Sequence, residues 1–128
     1  MKPFAELFQT ADWKSEKHAP VIEVHEAKKE GIKVTVSIGK EIPHPNTTAH
    51  HISWIQVYFL KEGEKFPYEL GKFEFNAHGA STKGPDTSTI YTHPKATFEF
   101  KSEKPGTLYA FSYCNIHGLW ANHKELEM

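Results

Sequence analysis

Apolar residues in this chain recur at every second position, and that period decides what it can fold into. Ile32-Lys33-Val34-Thr35-Val36-Ser37-Ile38 alternates apolar with polar side chains, the pattern of a strand with one face in a core and the other in water. Ile52 to Leu60 is denser, with Ile55, Val57 and Phe59 on one face and Trp54, Gln56 and Tyr58 on the other, which predicts a central strand. Further strands are predicted over Val21 to Glu26, Glu69 to Phe75, Ala96 to Phe100 and Thr107 to Tyr113, with a weak last one near Ala121 to Leu126. Gly31, Gly39, Gly63, Gly71, Gly84-Pro85 and Pro105-Gly106 punctuate them. The one helical stretch the pattern allows is a short one within Ala5 to Ala11.

About seven strands at such short spacing predict an all-β fold, an immunoglobulin-like antiparallel β-sandwich. With 128 residues, 38% hydrophobic and 24% charged, the chain fits a single domain with a true core, expected to span residues 1–128. A net charge of -1, with no basic run and no aromatic-basic stripe, argues against nucleic acid and against a membrane-surface helix. No stretch approaches membrane-spanning length. Met1 to Lys14 includes Lys2, Pro3, Glu6 and Asp12 rather than the apolar core of a secretion signal, so a cytoplasmic protein is expected. Asn46-Thr47-Thr48 matches a glycosylation acceptor, a reading that needs secretion and finds no other support.

The chemistry concentrates in three places. The chain has one cysteine and nine histidines, an imbalance that points to a metal rather than a disulfide, since one thiol forms no intramolecular bridge. Cys114 and His117 are three residues apart, so on a strand they would face opposite ways and only a turn brings them together. Gly118 supplies permissive backbone for that turn, which would offer the amides of Ile116 and His117 to the sulfur. A buried cysteine ending a strand is the plain alternative.

In Ile42-Pro43-His44-Pro45-Asn46-Thr47-Thr48-Ala49-His50-His51, two prolines bracket His44, so neither helix nor central strand runs through. An extended chain would hold His44 and His50 roughly 20 Å apart. A curled loop, which Pro45-Asn46 favours, could bring both rings to one point. His50 and His51 should point to opposite sides, so at most one shares a centre with His44. Solvent-facing histidines in a polar loop remain the alternative. The third place is Glu16-Lys17-His18-Ala19-Pro20, ahead of the first strand, which alone reads as a surface loop.

Taken in order, Glu-Lys-His-x-Pro, His-Pro-Asn-Thr-Thr-x-His-His and Cys-Asn-Ile-His-Gly-Leu-Trp resemble the superoxide reductases of the one-iron neelaredoxin class, the desulfoferrodoxin iron-binding domain. The resemblance runs from Trp13 to about Asn122. It implies a mononuclear non-haem iron cycling between Fe2+ and Fe3+. His18, His44, His50 and His117 would form its equatorial plane, with Cys114 as axial thiolate and the sixth position open when reduced. Glu16 matches the carboxylate that takes this position in the ferric state, and Lys17 the lysine beside the substrate. His25, His51, His78, His93 and His123 have no ligand role in the pattern. The two-iron relatives carry an extra N-terminal desulforedoxin domain with a four-cysteine iron; a single cysteine cannot supply it, so none is expected.

The implied activity is one-electron reduction of superoxide to hydrogen peroxide, with the iron reduced again by an external donor such as rubredoxin. Family members of this size are often homotetramers. Neutral imidazoles with one thiolate suit divalent iron and leave a formal charge of about +1, able to attract an anion. Lys17 would add local positive potential. Two other functions compete. A cupredoxin-like copper carrier also ends a β-sandwich on Cys-x-x-His, but Met128, eleven residues beyond His117, is a poor axial ligand, and His18, His44 and Lys17 would go unexplained. A Cys114–histidine nucleophilic enzyme predicts activity without metal.

Overall fold

The computed structural model describes all 128 residues. Seven strands follow a single turn of helix: α1 (Phe4–Leu7), β1 (Val21–Lys28), β2 (Gly31–Ser37), β3 (Ile52–Lys61), β4 (Tyr68–Glu74), β5 (Lys95–Phe100), β6 (Gly106–Cys114) and β7 (Gly118–Leu126). They form two antiparallel sheets, ordered β1-β2-β5 and β4-β3-β6-β7. The chain changes sheet after β2, β4 and β5, which gives the immunoglobulin-like sandwich its sequence predicts. The expected central strand is β3, flanked by β4 and β6.

Period-two alternation becomes burial. Ile55 and Val57 are wholly buried and Phe59 nearly so, while Trp54, Gln56 and Tyr58 are half-exposed on the outer face. Ile32, Val34 and Val36 meet them from the facing sheet, joined by Leu108 and Ala110 of β6. Truncating one of these large side chains to alanine typically costs about 2–5 kcal/mol, because the neighbours only partly collapse into the cavity.

Two elements differ from the expectation. The helix stops at Leu7, because Gln9 is drawn into extended pairing: its amide donates to Leu119 O at 3.0 Å and its carbonyl accepts from Ala121 N at 2.8 Å. Phe8 sits edge-on to Phe111 at 5.0 Å. The N-terminal arm thus covers the open edge of β7, which otherwise would present unpaired backbone groups. β7 itself begins at Gly118, three residues ahead of its predicted start, because Cys114 and Gly118 already pair across the β6–β7 turn. The start of β1, the end of β2, the start of β3 and the β6–β7 turn all lie at one end of the sandwich, so the three histidine-bearing segments converge there.

Candidate metal centre

The β6–β7 connection has three residues, Asn115, Ile116 and His117, closed by Gly118 at φ +82°. Three-residue hairpin loops of this kind need a left-handed residue to finish them, and glycine takes that conformation without a Cβ penalty. The turn folds back on its own sulfur: the amide of His117 donates to Cys114 Sγ at 3.3 Å. The Ile116 amide, expected as a second donor, makes no such bond. The turn closes between its first and fourth residues, leaving Ile116 at the tip with 59% of its surface exposed. Cys114 is fully buried at the end of the core.

Between β2 and β3 the chain curls as its prolines and polar residues demand. The amide of Thr47 donates to His50 O at 2.9 Å and that of His50 to Thr47 Oγ1 at 3.0 Å, closing a tight loop between the two histidines. Their ring centroids lie 4.9 Å apart. Gly39 lets the loop approach β2, since a Cβ there would stand 2.5 Å from His44 N. His51 turns the other way, as strand alternation requires, and stacks on His78 at 3.6 Å.

His18 lies in the buried run His18, Ala19, Pro20 that leads into β1. Asn122 Nδ2 ties this run to β7 by donating to Pro20 O at 2.8 Å. Trp120 stacks flat on the His18 ring, centroids 4.8 Å apart at 13°, and its indole N–H donates to His117 O at 3.2 Å.

Four imidazoles therefore form a closed cycle. Centroid separations are 4.7 Å for His18–His44, 4.9 Å for His44–His50, 5.1 Å for His50–His117 and 4.9 Å for His117–His18. The ligand atoms of His18, His44, His50 and Cys114 all lie within 4.8 Å of one another. His117 stands just outside that compact set, its Nδ1 3.2 Å from His18 Nε2 and 3.9 Å from Cys114 Sγ.

Hydrogen bonds on the outer nitrogens fix which atoms face inward. His44 Nδ1 donates to Pro45 O at 2.6 Å, leaving Nε2 bare. His18 Nδ1 donates to Glu16 Oε2 at 2.7 Å, the carboxylate–histidine pairing that orients metal ligands. His44 Nε2 and His50 Nε2 are buried without any partner, and the only other such side-chain atom is Ser112 Oγ in the core. Leaving a polar atom buried and unpaired costs about 1–3 kcal/mol. Two such atoms aimed at one point beside a buried thiol fit a bound cation, which would satisfy both. Burial pushes the His44 pKa down to about 4, helped by the neighbouring His18, His50 and Lys17 charges against the opposing pull of Pro45 O. Burial, with His117 and His18, lowers His50 as well. Both rings are thus held in the neutral form that metal binding needs.

Glu16 is turned toward His18 rather than toward the centre. Its Oε1 accepts the amides of His18 and, at 3.0 Å, Ala19. Burial alone would raise its pKa, but these bonds and the His18 side chain hold it below the ordinary carboxylate value. Lys17 is half-exposed and has no carboxylate partner; its charge acts on His44 and His50. Asn115 has no role in the ligand pattern of the sequence, yet its Oδ1 accepts His51 N at 2.8 Å and its Nδ2 donates to Ala49 O at 2.9 Å. This side chain sews the His50 segment to the cysteine turn. An asparagine opening a turn is the available signal, though the sequence does not say which strand it holds.

Residues 10–123 match the family model described as desulfoferrodoxin. The chain belongs to the desulfoferrodoxin family. Within it, the superoxide reductase of Pyrococcus furiosus is 58% identical over 96% of this chain and 98% of its own length. The neelaredoxin of Megalodesulfovibrio gigas is 54% identical over 96% of both chains. The solved structure of the superoxide reductase (neelaredoxin) from Archaeoglobus fulgidus in the reduced form superposes with a TM-score of 0.93, at 63% identity over 95% of this chain and 99% of that one. The two-sheet fold is therefore common to this desulfoferrodoxin-family chain and that relative.

Proposed function

We propose that this chain is a superoxide reductase, a single domain over 1–128 that binds one non-haem iron through His18, His44, His50, His117 and Cys114. The observation that carries the reading is the imidazole cycle with two bare, buried Nε2 atoms beside the Cys114 sulfur. Iron bound there supplies a one-electron couple, by which superoxide takes one electron and two protons to become hydrogen peroxide.

The chain's own residues do the rest. Glu16 and Pro45 O lock the His18 and His44 tautomers so that each presents a lone pair inward. The His117 amide draws density from Cys114 Sγ and so tunes its donor strength. Lys17, free of any carboxylate, raises the local positive potential that attracts the anion. It can also order the water that carries the protons. For Glu16 to serve as the oxidised-state ligand, it must first give up its bonds to His18 Nδ1, His18 N and Ala19 N; those three bonds set the resistance to that swing.

An external donor restores the reduced state, and we assign a rubredoxin-type protein to that role in the cytoplasm. No helix is long and apolar enough to cross a membrane. Assembly as a homotetramer accords with an apolar groove of about 530 Å³ on the outer face of the larger sheet, lined by Trp54, Tyr58, Tyr109 and Phe111 among others. A copper carrier of the cupredoxin type uses two histidines and one cysteine with a weak axial ligand; it leaves two of the four converging imidazoles idle.

Metal analysis with visible spectra of the oxidised and then ascorbate-reduced protein tests the reading. One iron per chain, and a thiolate-to-Fe(III) band that bleaches on reduction and returns when superoxide oxidises the reduced protein, is expected. Stoichiometric copper in natively purified protein, or iron binding without that band, would overturn it.

A further inference from the structure

Residues 75–94, between β4 and β5, form the longest connection in the fold, and its side chains are spent on the loop that carries His44 and His50. Asn46 is gripped from two sides: His78 Nδ1 lies 3.0 Å from its Oδ1, and its Nδ2 donates to Thr92 O at 3.0 Å. Thr48 is gripped as well. Its amide donates to Asp86 Oδ1 at 2.9 Å, its hydroxyl donates to His78 O at 2.8 Å, and the same oxygen accepts Asp86 N at 3.1 Å.

His78 is 9% exposed. Its Nε2 lies 2.5 Å from Phe75 O, and its ring lies flat against His51 at 3.6 Å and 4°. His51 in turn donates from Nδ1 to Thr47 O at 2.9 Å. Asp86 holds a left-handed backbone, φ 55°, rare for a side chain other than Asn or Asp, and its Oδ1 also accepts Tyr91 OH at 3.2 Å. Asn46 and Thr48 both lie between His44 and His50, so every one of these contacts bears on the spacing of those two rings.

We infer that His78 and Asp86 are positioning residues for the metal centre, holding Asn46 and Thr48 from outside so that His44 and His50 present their bare Nε2 atoms to one point. This rests on the metal-centre reading above. Ligands supported from behind bind more tightly than the same ligands left to wander, and loss of such support typically weakens metal binding about 10- to 100-fold.

The test is titration of the metal-free chain with Co(II), followed by the thiolate-to-cobalt band, alongside thermal melts of the metal-free proteins. Asp86→Gly removes the carboxylate while tolerating the backbone conformation, and Asp86→Asn keeps an acceptor oxygen. His78→Phe keeps the stack on His51 but loses Asn46. His25→Phe, on β1 and bonded to Thr35, is the control.

Asp86→Gly and His78→Phe should raise the Co(II) dissociation constant about 10- to 100-fold and shift the band, with Asp86→Asn and His25→Phe near the parent. Because Asp86 is exposed, its variants keep the test open even where His78→Phe fails to fold. Parental affinity and spectrum in Asp86→Gly, or a lower melting temperature with affinity unchanged, overturns the positioning role alone. A parent chain that binds no Co(II) through sulfur overturns the metal-centre reading and this inference with it.

Discussion

The two ends of the sandwich treat their polar residues in opposite ways. At the end made by the β3–β4 and β5–β6 turns, charge is left in water: Lys61 pairs with Glu64 at 2.8 Å on the surface, and Tyr68 OH donates to the same carboxylate at 2.6 Å. At the other end, imidazole nitrogens are buried and two have no partner at all. Exposed ion pairs contribute little to stability, so the first end can change freely. The second keeps a cost that a bound ion would remove, as a metal centre requires.

The sharpest way to break that contrast is Cys114→Ser. It leaves four imidazoles without their thiolate, and should abolish the thiolate-to-Fe(III) band and superoxide reduction together; since Cys114 is the only cysteine, a variant that keeps the band would show that the band does not arise from a thiolate. Next comes acid. In the metal-free chain His44 titrates near 4 but near 6.5 when unfolded, so between those values the unfolded chain binds the extra proton. Stability of the metal-free protein should therefore fall as pH drops from about 6.5 to about 4, and His50 adds in the same direction. Urea melts across that range check it, with His44→Phe expected to flatten the slope.

Smaller in effect, Lys17→Ala should slow the second-order reaction with superoxide by up to about tenfold and weaken its dependence on ionic strength. Stopped-flow rates at two salt concentrations decide this, and an unchanged rate and salt response would remove Lys17 from the mechanism. Smallest of all, Glu64→Gln at the opposite end should leave iron content and melting temperature at parental values.

The same contrast explains how much could be read from the sequence. Strands β1 to β6 were legible because alternation is a local property, and Ile55, Val57 and Phe59 carry it without ambiguity. The start of β7 was not: Gly118-Leu119-Trp120 does not alternate, and Trp120 is buried against His18 rather than against the opposite sheet. The histidines and Cys114 were legible as motifs. The residues that hold them were not, because Asn115 reaching Ala49 and His51, or Asp86 reaching Thr48, is a pairing between segments distant in the chain. Ile116 is the converse case: the sequence predicts the turn, but how many of its amides face the sulfur depends on how the turn closes.

His18 and His117 meet at 3.2 Å across 99 positions of sequence. In a zinc finger the ligands are close neighbours along the chain, and the ion can organise an otherwise unfolded segment. Here no short stretch holds enough donors, and gathering them from the unfolded state would require closing several long loops at once. The sandwich must therefore fold before the ion arrives. Iron content becomes a report on completed folding, and a chain starved of iron during synthesis should wait as a folded, loadable reserve rather than be lost to aggregation.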